Sequence, residues 1–181
     1  MLESVELFVS TMLTYQPDGI DLCLFNDNPS WYHVRNKADA RAALSNSFPA
    51  GGTRMAPVFQ PVFEAFFTDA QRKKEVGALP QPVTIVVLTD GCPMDQDELE
   101  LEICKASCRL QDEVDGADEM LGTMFLQIGF DEEAAKFLQE LDDKLQDIYN
   151  VPFDIVATMP FLKFCKEDIS PSSILLKAIQ D

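Results

Sequence analysis

Two short stretches place oxygen-bearing side chains beside turns. Thr53 follows a pair of glycines, Gly51 and Gly52, and Asp90 stands between Thr89 and Gly91 at the close of the most apolar stretch of the chain. A strand-end aspartate can accept a phosphoryl group, but the second acidic residue and the lysine that such chemistry needs are not placed at matching strand ends. The plain alternative for residues 89–91 is a strand-to-turn exit. Thiols are the other candidates. Cys92 lies close to Asp90, and His33 could be posed as its base, yet nothing in the sequence orients the imidazole and no oxyanion-binding signature is visible. Cys104 and Cys108 share a helix face at four-residue spacing, but a chain with one histidine offers no zinc set, and core packing is the simpler role.

The elements that must position these residues alternate. Leu2, Val5, Phe8, Val9, Met12 and Leu13 predict a helix over 2–14 that stops at the Pro17-Asp18-Gly19 turn. Residues 20–25 read as a strand closed by the turn-forming Asn26-Asp27-Asn28-Pro29, with a second strand at 31–34 and a short helix at 37–48. After a loop through Thr53, Phe59, Val62, Phe63 and Phe66 give helical spacing over 55–67, with a late start or a kink expected at Pro61 and a connector over 71–82. Residues 83–89, branched and apolar almost throughout, read as a central strand covered on both faces. Asp95 with Glu98 reads as a capping box opening a helix lined by Leu99, Ile103, Ala106 and Leu110. A strand at 124–128 follows, then a helix capped by Asp131 with Ala134, Phe137, Leu138, Leu141 and Leu145 inward, a strand at 153–157, and a terminal helix opened by Ser170 and Pro171.

This alternation predicts one α/β domain over 1–181 with a Rossmann-like, doubly wound, mostly parallel sheet flanked by helices. Ligands of such sheets bind at the carboxyl ends of the strands where the strand order reverses, which points to Asp27, Thr53 and the residues after Leu88.

Gly51-Gly52-Thr53 entering a helix, then a strand ending Leu88-Thr89-Asp90-Gly91, resemble the second and third metal loops of a von Willebrand factor A-type (VWA) domain. The flanks are similar too: Asp18-Gly19-Ile20-Asp21, Gln127-Ile128-Gly129-Phe130-Asp131 and Phe153-Asp154-Ile155-Val156. The resemblance covers nearly the whole chain and is nearest to intracellular VWA domains of fungi, algae and protists. It implies a protein-binding module with Mg²⁺ or Mn²⁺ in a metal-ion-dependent adhesion site, completed by an acidic side chain of a protein partner. By resemblance, Thr53 and Asp90 are metal ligands, directly or through water, and Gly52 and Gly91 support their loops. The sequence departs from the family at the front: it begins inside what resembles the first helix, without the first strand and its Asp-x-Ser-x-Ser loop. Two oxygen residues seldom hold Mg²⁺ against its hydration shell, so weak or no metal binding is expected. The missing strand should also leave residues 83–89 without one neighbour. Asp168-Ile169-Ser170-Pro171-Ser172 matches the absent loop letter for letter, but the charged end of the preceding segment makes a poor buried strand, and a helix cap accounts for Ser170 and Pro171.

Composition narrows the classes further. A chain of 181 residues with 46% hydrophobic and 25% charged residues can bury the core of one domain. Fourteen Lys and Arg against 31 Asp and Glu leave a net charge of -17, a field that repels nucleic acids and anionic membrane surfaces. The acid is concentrated in 95–119 and 131–147, whereas 35–74 is relatively basic, a pattern that solvated helix faces explain. Five cysteines with no secretory leader and no membrane-length apolar run indicate reduced thiols and a cytoplasmic protein. The expectation is therefore a binding module and not an enzyme. A metal-independent scaffold and a hydrolase or phosphotransferase using Asp90 are the alternatives.

Overall fold

A computed structural model of the chain describes residues 2–25, 29–45, 53–114 and 120–166. In chain order the elements are α1 (Leu2–Met12), β1 (Ile20–Leu24), β2 (Ser30–Val34), α2 (Lys37–Ser45), α3 (Ala56–Glu75), β3 (Val83–Thr89), α4 (Gln96–Glu113), β4 (Leu121–Gln127), α5 (Glu132–Tyr149), β5 (Val156–Pro160) and α6 (Phe161–Lys166). The fold is mixed α/β. Asp27, Gly51, Gly52, the Asp168–Ser172 stretch and the helix expected after Ser170 lie outside the described residues.

The strands form two sheets instead of the single one expected. β1 and β2 make an antiparallel hairpin, and β3, β4 and β5 make a parallel sheet in that order. β4 is its centre: Val83 pairs with Leu121 through Thr89 with Gln127 on one side, and Thr123 pairs with Val156 through Gln127 with Pro160 on the other. Among the described residues, no strand joins β3 to the hairpin. The inner edges of the two sheets find no strand to complete a common ladder, so the sheet is divided.

Helices lie on both faces of the parallel sheet. On one, Phe59, Phe63 and Phe67 of α3, Leu99, Ile103 and Leu110 of α4, and Leu138 and Leu141 of α5 pack with Leu121 and Phe125, joined by Val83, Ile85 and Val87. The rings of Phe59 and Phe125 stack at 6.1 Å. On the other, Phe8 and Met12 of α1 and Phe161 and Phe164 of α6 pack with Met124 and Leu126, joined by Val86 and Leu88. The alternation of odd and even positions along β3 and β4 between these two clusters is the period-two pattern of a strand covered on both faces. The inward residues predicted for α4 and α5 are all buried.

Several boundaries move for local reasons. α3 runs unbroken from Ala56 to Glu75 with Pro61 inside it, so residues 71–75 are helical and not connector. Pro61 removes one helical donor, and the aromatic face packed on both sides of it outweighs that loss. β5 starts at Val156, later than expected, because the residues before it are held in a turn. There Ser107 Oγ donates to the Phe153 carbonyl at 2.7 Å and accepts the Phe153 N–H, while the Asp154 carboxylate accepts the Val156 N–H.

Candidate functional site

The loop that ends β3 and the loop that begins α3 are fastened to each other. Thr89 closes β3, where its hydroxyl donates to the Gly91 carbonyl at 2.8 Å, a local bond that makes the strand turn at Asp90 and Gly91. Three residues further on, the Met94 N–H donates to the Thr53 carbonyl at 2.8 Å. Next to it, Asp95 is 2% exposed, and its two carboxylate oxygens accept the N–H groups of Met55 and Ala56 at 2.9 and 3.0 Å. Asp95 therefore does not form the capping box expected with Glu98. It satisfies the free amides at the start of α3, a neighbouring helix, and its negative charge complements that helix N-terminus. Its own helix begins through the backbone alone, by Leu99 N–H to the Asp95 carbonyl.

These bonds set Thr53 and Asp90, residues far apart in the chain, on two loops at the carboxyl end of β3, and both line the mouth of one large groove. Asp90 is exposed and Thr53 half-buried. Gly91 lies in the same turn, and a Cβ built on it would meet no described atom within 4 Å. Among the described residues there is no group of three or more His, Cys, Asp or Glu that could hold a metal ion. Of the oxygen side chains near the rim, those of Asp95 are committed to backbone amides and that of Thr89 to Gly91. Among the described residues of the two loops, Thr53 and Asp90 remain as oxygen-bearing side chains.

The groove itself was not anticipated as a site. It has a volume of about 1570 Å³ and runs along β3 from Val83 to Asp90, between α1, β1 and α3. Its walls are apolar, with Val5, Phe8 and Met12 on one side and Val58, Val62 and Phe66 on another. Small-molecule sites occupy roughly 300–1,000 Å³, so this space is larger and longer than a compact ligand requires.

Three of the thiols, Cys23, Cys92 and Cys104, and the histidine lie in settings unsuited to nucleophilic chemistry. All five cysteines are free. Burial pushes the Cys23 and Cys104 thiols up to about 11, and burial followed by the negative charges of Asp131 and Glu133 raises that of Cys92, so these groups stay protonated near neutrality. Contrary to expectation, His33 is oriented: Nδ1 lies 2.8 Å from Asp21 Oδ1, and Nε2 lies 3.1 Å from the Asp18 carbonyl. The carboxylate, and then the carbonyl, raise its pKa. Both ring nitrogens are occupied in holding the β1–β2 hairpin together, which leaves no free nitrogen to act as a base.

No helix of the described residues is long and apolar enough to cross a membrane. The sequence matches no protein-family model, and no curated protein matches it at a significant level.

Proposed function

We propose that the chain belongs to a protein-binding module of the VWA kind, a doubly wound α/β domain, and that its recognition surface is the rim shared by Thr53 and Asp90. The observation that carries this reading is the placement of a hydroxyl and an exposed carboxylate on two mutually fastened loops at the carboxyl end of a parallel strand. That is where open α/β sheets bind their ligands. Asp95 and the Met94–Thr53 bond fix both loops before a partner arrives, which lowers the ordering cost of association.

The rim works without a resident cation in this reading, or holds one weakly, because Thr53 and Asp90 are too few among the described residues to replace the hydration shell of a small divalent ion. A partner's acidic side chain would then meet Asp90 as a like charge, so the partner presents a basic or neutral donor there. The raised pKa of the Cys92 thiol beside Asp90 and the doubly bonded His33 support binding over catalysis.

The test compares proteins retained by the wild-type chain and by a Thr53→Ala/Asp90→Ala variant, each with Mg²⁺ and with chelator. A partner held by the wild type in both conditions and released by the variant is the expected result. Retention indifferent to both substitutions points to a scaffold that keeps the fold without using the rim. Calorimetric titration with Mg²⁺ should give no binding in the micromolar range; micromolar affinity means that further oxygen ligands reach the site.

A further inference from the structure

β5 is an outer strand of the parallel sheet: among the described residues it pairs with β4, and no strand lies beyond it. Thr123, the register partner of Val156, donates its N–H to the Ile155 carbonyl at 2.7 Å. That phase turns the backbone groups of Ile155, Ala157 and Met159 towards β4, and those of Val156, Thr158 and Pro160 outwards. An outward row of this kind ordinarily serves as a template on which another strand can pair.

Each of the three outward positions is barred from donating to another strand, and each in a different way. Asp154 folds back over two residues and accepts the Val156 N–H at 3.1 Å. Asp142 reaches across from α5 and accepts the Thr158 N–H at 2.8 Å. Pro160, the last residue of the strand, has no N–H to give. A carboxylate is a stronger acceptor than a peptide carbonyl. An incoming strand therefore has to displace two charged oxygens from amides they already hold, and bring its own carbonyl oxygens against negative charge to do so.

We infer that β5 is a guarded edge: Asp142, Asp154 and Pro160 stop the parallel sheet from adding a strand of a second copy of this chain, and their removal turns the edge into a self-association surface. Without the guards, Val156, Thr158 and residue 160 present a row of amides in need of acceptors, and the same edge of another copy offers both the acceptors and the matching need. The guard is independent of the rim formed by Thr53 and Asp90 and stands whether or not that rim binds a partner.

Amide hydrogen exchange of the full chain tests the guard, and sedimentation velocity tests its consequence. Asp142→Ala should speed exchange at Thr158 about tenfold, as loss of a hydrogen bond to a charged acceptor does, and leave Val156, Ala157 and Met159 unchanged. Asp154→Ala should do the same at Val156 alone. Asp142→Asn, which keeps an oxygen acceptor, should hold Thr158 near the wild-type rate. The triple variant Asp142→Ala/Asp154→Ala/Pro160→Val should form larger species than the wild type as concentration rises, with the Val156 and Thr158 amides protected again in the assembly. Exchange at Val156 and Thr158 that the single substitutions do not move overturns the inference. So does a triple variant that is folded by circular dichroism and sediments as the wild type does, or one that associates without renewed protection of these two amides, since the contact then lies elsewhere. Where the triple variant fails to fold, Asp142→Ala/Pro160→Val carries the sedimentation test under the same criteria.

Discussion

β3 and β4 are seven residues long, lie side by side in parallel and share the same two layers of helices, yet one is sealed and the other is not. Every residue of β4 from Leu121 to Leu126 is buried, whereas in β3 only Val87 and Thr89 are. The difference does not come from hydrophobicity, since β3 is the more uniformly branched and apolar of the two. It comes from neighbours. A strand with partners on both edges is shielded from water along its backbone and flanks, and a strand with one partner leaves half its polar backbone to be satisfied by something else.

That contrast can be broken or sharpened by mutation. The largest effect is expected from Phe125→Ala in β4, which removes a fully buried ring stacked on Phe59 and should cost about 3–5 kcal/mol in denaturant unfolding. Val86→Ala on the open strand should cost about 1 kcal/mol. A loss of about 2–3 kcal/mol at Val86 would mean that β3 is as enclosed as β4. Next comes Asp95→Ala, which leaves the Met55 and Ala56 amides without their acceptor and should destabilise the chain by about 2–3 kcal/mol, while Glu98→Ala changes stability by less than about 0.5 kcal/mol. The reverse order would restore the capping box.

The hairpin beyond the groove gives two smaller tests. Gly19 has φ of +116°, and a Cβ there would lie 2.6 Å from His33 Nε2, so Gly19→Ala should cost about 1–2 kcal/mol and disturb the imidazole. The pH dependence follows from His33. Its folded-state pKa is raised, first by the Asp21 carboxylate and then by the Asp18 carbonyl, so the folded chain favours the imidazolium. The resulting stabilisation is fully present below the ordinary histidine value of about 6.5 and fades as pH rises through the higher folded value. An NMR titration of the ring should show the raised midpoint, and Asp21→Asn should lower it. The smallest effect belongs to Asp90→Ala, which should leave thermal stability within about 0.5 kcal/mol of the wild type because this carboxylate is exposed to solvent.

Much of the architecture could be read from spacing. Residues 83–89 are a strand as predicted, Asp131 caps α5 by accepting the Ala134 N–H at 2.7 Å, and the apolar faces of α4 and α5 point inward as their periodicity requires. These features depend on residues within a turn or two of one another. The errors fell where a local signal served a distant purpose. Asp95 carried the sequence mark of a cap, but the helix it caps is α3, forty positions away from its partner Met55. Asn26 to Asn28 and the two glycines before Thr53 lie outside the described residues, so the site was legible there only as sequence.

Local pattern determined which segments of this chain are helices and strands, which faces are apolar, and that a hydroxyl and a carboxylate stand beside two turns, because propensity and periodicity act over a few residues. Tertiary structure alone decided that the strands divide into two sheets, that a buried aspartate fastens one loop to another, and that a long apolar groove opens along β3. Those outcomes depend on which edges find partners in space, and pairing between segments tens of residues apart leaves no mark in either segment by itself.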